Sequence, residues 1–366
     1  MSGNPSIAYF ISPHGYGHAA RAAGVMEAIL DLDSTIRFEI FTQVPRWFFD
    51  DSLSGDFGYH SLLTDIGLVQ RTPLQADIPE TVNRLNHFLP FDTFMIRELG
   101  DQLKKLECGL IICDIAPMGI VVAQEAGIPS LLIENFTWDW IYEGYVKQDG
   151  RIGHHIHYLK GIFQAAQFHI QTEPICDPQN VDLTTFPVSR KKKTPAHEIR
   201  KKLRIREGSK TILITMGGIE EKYNFLEQLA THRDVHFVIP GASRDVTIRD
   251  NLVLLPHHSD YFHPDLVNAS DAVIGKVGYS TVGEVYYAGL PFGYVARSRF
   301  RESQKLVSFI ESRMLGLPIS GDQFYRGGWL PSLPDLLALP RIHRTDPRGA
   351  EQIAHFIRDL IKATPP

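Results

Sequence analysis

The stretch "SIAYFISPHGYGHAARAAG" (residues 6–24) decides the fold. Its first half, "SIAYFIS" (6–12), is a short apolar run that stops at a Pro and Gly cluster, which reads as a strand buried in a parallel sheet. Beyond the glycines the period changes. Ala19, Ala22, Met26, Ile29 and Leu30 recur at helical spacing, so a helix begins near His18. Strand, tight turn and helix in that order open a doubly wound α/β unit. The alternation continues through strand-like runs at 37–42, 109–113, 130–133 and 168–171, with helical patterns at 91–107 and 116–127. A basic, proline-punctuated stretch between 184 and 200 interrupts it, and a second series follows at 211–218, 235–239, 252–255, 271–274 and 291–295. The expectation is an α/β protein of two Rossmann-like domains, 1–185 and 186–348, with a terminal helix in 349–366 that can return to the first domain.

A chain of 366 residues, 43% hydrophobic, has enough apolar surface for two cores. Its net charge of −5 gives no chain-wide attraction to nucleic acid. The local run "RKKKTPAHEIRKKLRIR" (190–206) reads as a solvated linker and exposed helix face, with an anionic-lipid patch as the alternative. Cys108, Cys113 and Cys176 form no CxxC pair, which suits a reducing compartment. No apolar stretch reaches the roughly 18 residues of a spanning helix, and no secretory leader pattern opens the chain. A cytoplasmic protein with at most peripheral membrane contact is expected.

Three readings compete for "HGYGH". It lacks both GxGxxG and GxxxxGK[ST], so a dinucleotide or Walker cradle is weakly signalled, although Gly15 and Gly17 allow a ligand close to the backbone. His14 and His18 have metal-ligand spacing only if both are helical, which Pro13 and the glycines oppose. The third reading is a general base: His18, in the first helical turn at the carboxyl end of a strand, takes a proton if a carboxylate orients its other nitrogen. Asp114 ends the strand at 109–113 and falls at the same sheet edge. The competing role for Asp114 is a helix cap beside Ala116-Pro117.

In the second half, "GKVGYSTVGE" (275–284) is a glycine-rich turn leading into a helix, where amides near Gly278, Ser280 and Thr281 can hold a diphosphate without a metal. Glu284, three residues after Thr281, would complete a capping box. Met216, Gly217 and Gly218 end the first strand of this half, either near phosphates or in an ordinary tight turn. "NFTWDWIYEGY" (135–145) suits stacking on an acceptor through Asn135 and Trp138, or plain core at helical spacing. His154, His155 and His157 read as alternating solvated and packed positions of a surface helix rather than metal ligands.

"HGYGHAAR", "CDIAPMGIVVAQEAGIPSLLIENFTWDWIYEGY" (113–145) and "GKVGYSTVGEVYYAGLPFGYV" (275–295) resemble GT-B glycosyltransferases. The chain is most similar to the transferase-like N-terminal portion of plant arabinose kinases and, more loosely, to the bacterial muropeptide-lipid N-acetylglucosaminyl transferase. The resemblance covers most of the chain and implies two domains facing a cleft. It carries no counterpart of the sugar-kinase domain, so no kinase activity is implied. It implies that His18 deprotonates the acceptor and Asp114 orients it, with His14 a phosphate or acceptor contact. On the donor side it implies that Glu284 grips the ribose, that the backbone from Leu255 to His257 reads the base, and that Arg297, Glu302 and Gln304 contact sugar or phosphate. Retaining relatives carry Glu-x7-Glu; Lys276 stands where the first Glu would be, which implies inversion and a cation for the diphosphate. Acidic Glu220 and Glu221, Gly283 before Glu284 and a missing WNS signature depart from the relatives, so donor identity stays open.

The expected function is therefore metal-independent transfer from a nucleotide-diphosphate sugar, a UDP-sugar first, to a small or lipid-linked acceptor, with no cofactor. A non-catalytic nucleotide-sugar sensor and a nucleotide-sugar 2-epimerase are the rivals.

Overall fold

The computed structural model describes residues 6–72, 74–217 and 223–363. The chain divides into two compact units, one formed by residues up to Arg71, Ala76–Arg190 and the segment from Asp346 onward, the other by Thr72–Gln75 and Lys191–Thr345.

The first unit holds strands β1 (Ser6–Ile11), β2 (Arg37–Thr42), β3 (Phe57–Ser61), β4 (Cys108–Asp114), β5 (Ser130–Glu134), β6 (Phe168–Thr172) and β7 (Leu183–Thr185). They form one sheet in the order β3-β2-β1-β4-β5-β6-β7, every described pairing parallel. The sequence reversal between β1 and β4 is the switch point of a doubly wound sheet, where loops on either side splay apart and leave room for a ligand. β1 sits at the centre and all six of its residues are buried, as its unbroken apolar run requires. Helix α1 (Tyr16–Leu32) follows it, and its Ala19, Ala20, Ala22 and Ala23 are buried, small side chains that let a helix lie close to its neighbours. Ile11 pairs with Asp114, so the loop after β1 and the end of β4 share one sheet edge.

Further helices of this unit are α2 (Ile78–Phe88), α3 (Pro117–Ala126), α4 (Trp138–Glu143) and α5 (Gly153–Gln164). On α5 the histidine triplet alternates as its period requires. His154 and His157 are exposed, while His155 is buried with Nε2 2.7 Å from Asn86 Oδ1. Burial, then the neighbouring His154, pushes the His155 imidazole down to about 4.

The second unit begins with α6 (Ala196–Lys202) and carries β8 (Lys210–Thr215), β9 (Val235–Pro240), β10 (Thr247–Arg249), β11 (Leu252–Leu255), β12 (Ala272–Lys276), β13 (Phe292–Val295) and β14 (Gly316–Pro318). Their order is β10-β11-β9-β8-β12-β13-β14, parallel except for the β10 edge. The period of two divides the core. Leu213, Val238, Val253 and Val273 pack on one face of the sheet and Ile212, Ile214, Phe237 and Ile274 on the other. Helices α7 (His263–Ala269), α8 (Tyr279–Ala288) and α9 (Arg301–Arg313) belong to this unit. The basic run at 190–206 supplies α6, whose apolar Ile199 is buried while Lys201 and Lys202 are exposed. Asp265 Oδ1 accepts from the Lys193 and Thr194 amides, and Arg200 reaches Asp271, so part of its charge is matched locally.

The terminal helix α10 (Gly349–Ala363) belongs to the first unit and packs on α1. Its start is fixed by Gly349, whose added Cβ would sit 2.0 Å from the Phe186 carbonyl oxygen. No helix among the described residues is long and apolar enough to cross a membrane.

Candidate functional site

The loop that follows β1 delivers two imidazoles to one sheet edge. Gly15 caps α1 at φ 72°, a conformation that suits glycine, and this places His18 in the first turn of the helix. His18 Nδ1 lies 3.1 Å from Asp114 Oδ1. Asp114 does not cap α3, whose N-cap is Ala116 without a side-chain bond; the capping role is corrected, because the carboxylate is committed elsewhere. Arg21, one helical turn after His18 and 1% exposed, donates Nε to Asp114 Oδ2 at 2.8 Å and an amino group to Oδ1 at 2.6 Å. Its other amino group donates to Asn135 Oδ1 at 2.7 Å. Burial alone would raise the Asp114 carboxyl, but the Arg21 guanidinium and the His18 bond hold it below the usual carboxylate range. A carboxylate accepts only, so His18 Nδ1 carries the proton that points at it, and in the neutral ring the lone pair then sits on Nε2. No described residue bonds that Nε2.

Asn135 and Trp138, the residues expected to meet an acceptor, are both 0% exposed, which matches the core alternative for Trp138 and leaves neither side chain facing solvent. Asn135 anchors Arg21, and the Trp138 indole forms a wall with ring centroids 5.1 Å from His14 and 6.2 Å from His18. The indole is fixed in turn by Asp65, which sequence reading missed. Trp138 Nε1 donates to Asp65 Oδ2 at 3.2 Å and Ser12 Oγ donates to Oδ1 at 3.0 Å. Burial pushes the Asp65 carboxyl up to about 7 against these two bonds.

His14 faces a cavity of about 830 Å³ in the first unit, which Gln43, Gln70, Arg84, His87 and Phe88 also line. Gly15 lies on the same wall and Gly17 within α1. Among the described residues no group of three metal-ligating side chains occurs.

In the second unit the expected donor residues lie at or just after the carboxyl ends of β8, β11, β12 and β13, or on the helices that follow β12 and β13. Met216 is buried just after β8 and Gly217 follows at φ 75°; Gly218, Glu220 and Glu221 lie outside the described residues. Leu255 ends β11 with its carbonyl accepting from the Ala242 amide, and His257 is partly buried two residues on. Lys276 ends β12, with Nζ 3.4 Å from where a Cβ on Gly217 would stand. Burial, then nearby Arg297, pushes the Lys276 ammonium down to about 7. Gly278 caps α8, and Ser280 and Thr281 lie in its first turn. Thr281 is therefore helical and forms no capping box with Glu284. The buried Glu284 instead places Oε2 2.6 Å from His263 Nδ1. Arg297 lies 3.7 Å from the buried Glu302, while Gln304 is exposed on α9.

No family model matches the chain. It is 26% identical to the L-arabinokinase of Arabidopsis thaliana over 364 residues, 96% of this chain but 34% of that protein, so it spans about a third of the relative's length. Glycosyltransferase VinC in complex with dTDP superposes with a TM-score of 0.62 at 14% identity, covering 98% of both chains. Medicago truncatula UGT71G1 complexed with UDP-glucose gives 0.59 at 13% identity, over 98% of this chain and 95% of that one. Spinosyn forosaminyltransferase SpnP gives 0.59 at 15% identity, over 99% and 96%.

The chain has the GT-B glycosyltransferase fold. In a GT-B chain the two parallel sheets are the two halves of the architecture, and each half here carries its own cluster of polar side chains at the carboxyl edge of its strands.

Proposed function

We propose that this protein is an inverting, metal-independent glycosyltransferase that uses a nucleotide-diphosphate sugar. The single observation that carries the reading is the buried array of His18, Asp114 and Arg21, which leaves His18 Nε2 as a lone-pair acceptor at a sheet edge. In the reaction His18 Nε2 takes the acceptor's hydroxyl proton as its oxygen bonds to the anomeric carbon. The bond from that carbon to the diphosphate oxygen breaks, and its electron pair leaves with the diphosphate. Asp114 holds the imidazole in register and stabilises the imidazolium that forms.

The second unit is the donor half of this proposal. The first-turn amides of α8 and the Lys276 ammonium receive the diphosphate, a preorganised positive site that needs no metal. Glu284, fixed by His263, takes the ribose, the backbone from Leu255 to His257 the base, and Arg297 and Glu302 the sugar. Relatives in complex with dTDP and UDP-glucose favour uridine or thymidine donors. The acceptor binds in the cavity beside His14 and Gly15.

Thermal unfolding across UDP-, dTDP- and GDP-linked sugars tests the donor half. A true donor at 100 times its dissociation constant adds about 2.7 kcal/mol to the folded state. Stabilisation by none of them would remove the reading. The similarity to part of an arabinokinase favours a second one, a sensor that binds the donor without turning it over. Stabilisation by a donor together with no release of its nucleotide in the presence of acceptors would favour that.

A further inference from the structure

Residues 191–210 carry nine Lys and Arg against two Glu. Three of these cations, Lys192, Arg200 and Lys210, meet Arg341 around residues 268–271, at the end of α7 and just beyond it. Lys192 Nζ donates to Asn268 Oδ1 at 3.0 Å, and an amino group of Arg341 points at the same oxygen at 3.5 Å. Arg200 and Lys210 both reach the Asp271 carboxylate, at 3.4 and 3.3 Å. Among the described residues, Asp271 is the one carboxylate that these four side chains bond.

The cluster is anchored and leaves positive charge over. Arg200 also donates to the Ala269 carbonyl at 3.0 Å and Arg341 to the Ala288 carbonyl at 2.8 Å, so the last turns of α7 and α8 hold both guanidinium groups. The oxygen that Lys192 and Arg341 share belongs to a neutral amide. Two like charges therefore stand within two hydrogen-bond lengths of each other, and an anion beside them would relieve the repulsion. Lys192, Lys210 and Arg341 are exposed, as are Lys201 and Lys202, which follow Arg200 on α6. The patch lies at the amino ends of the second sheet, where Lys210 opens β8 and Asp271 precedes β12. The expected donor residues lie towards the opposite ends of the same strands, so both places can be occupied at once.

We propose that this patch docks the second unit on an anionic bilayer, with lipid phosphates and carboxylates taken up between Lys192, Lys201, Lys202, Lys210 and Arg341. A bilayer presents many headgroups in one plane, which suits cations that stand on exposed side chains of several chain segments. Residues 191–210 contain no Phe, Tyr or Trp on which the bases of a nucleic acid would stack. The net charge of −5 opposes any polyanion at long range, so the attraction acts only within about 8–10 Å of the patch at physiological salt. The contact is therefore reversible and sensitive to ionic strength.

Sedimentation of the full chain with phosphatidylcholine vesicles, with and without an equal part of phosphatidylserine, tests this at low ionic strength. The chain is expected to bind only the vesicles that contain phosphatidylserine and to leave them as salt is raised. Each Lys or Arg near such a surface strengthens partitioning about five-fold, so Lys192→Gln/Arg341→Gln is expected to bind about 25-fold more weakly. Lys104→Gln/Lys105→Gln removes the same charge from exposed positions of the first unit and is expected to bind as the wild type does. Binding to duplex DNA without binding to the vesicles assigns the patch to nucleic acid and overturns the proposal. So does binding to neither, or an equal loss in both variants. No donor or acceptor enters these measurements, so their outcome is independent of the transferase reading.

Discussion

Replacing Arg21 with methionine removes one charge from a pair in which both partners are buried, Arg21 at 1% and Asp114 at 0% exposure. Three hydrogen bonds of 2.6 to 2.8 Å go with it. Methionine fills much of the volume, so the loss is electrostatic: a carboxylate stays buried with His18 as its remaining side-chain hydrogen-bond partner among the described residues. Breaking a buried pair from one side costs about 3–5 kcal/mol. At about 2–4 °C per kcal/mol for a domain of this class, the midpoint of thermal unfolding falls by about 6–20 °C. The sign with pH follows from Asp114. In the wild type its folded-state pKa is depressed, so its contribution is complete above the unfolded value of about 3.9 and is lost as pH falls through the folded one. In the variant the carboxyl is buried without its cation and becomes easier to protonate. The gap between the two proteins therefore narrows as pH falls from 7.5 towards 5. Calorimetry at both pH values measures this, and the double variant Arg21→Met/Asp114→Leu is expected to recover part of the loss. A gap that does not change with pH, or a double variant no better than the sum of the two singles, would refute the electrostatic reasoning.

Further perturbations probe the surroundings of the site. Asp65→Asn keeps an oxygen for the donor-only Trp138 indole and turns the Ser12 bond round so that the hydroxyl accepts, while it removes a carboxyl raised to about 7. That group favours the folded state fully below the unfolded pKa of about 3.9, and its contribution is lost as pH rises through about 7. The variant is expected to lose less stability than the wild type between pH 5 and 8, as read by thermal unfolding. Gly67→Ala meets both a positive φ and the His14 ring, and is expected to cost about 1–2 kcal/mol from the backbone alone, with a shifted His14 resonance in the NMR spectrum. Lys276 is charged only below about 7, so UDP affinity by calorimetry is expected to weaken from pH 6.5 to 9 in the wild type and to be weak and much flatter in Lys276→Met.

Most of the strands were legible because the central ones are unbroken apolar runs, whereas the order in which they pair was not read from the sequence. Residues 37–42 and 252–255 form strands as read, and the β8 run begins one residue before its sequence limit. β3 escaped because "FGYHS" is only half-buried and lacks that signature, and three-residue β7 is too short to show a period. Asp114 could be picked out by a general rule, that strand ends of a doubly wound sheet face a ligand. For Arg21 the sequence carries a single signal, its i, i+3 spacing from His18, and nothing in the pattern shows that it pairs with Asp114. Asp65 offered none. It lies in an irregular segment, and its tie to Trp138 spans 73 residues, a contact that only tertiary folding creates. The aromatic cluster was legible only as two alternatives, a stacking surface or plain core, and burial makes Trp138 a supporting wall.

The most direct measurement follows sugar transfer and nucleotide release in the wild type and in His18→Ala, with donor binding monitored by thermal shift in both. Loss of the base predicts a fall in transfer of about 10²- to 10⁴-fold while the donor still stabilises the variant. A His18→Ala protein that transfers sugar at the wild-type rate would contradict the role given to that imidazole.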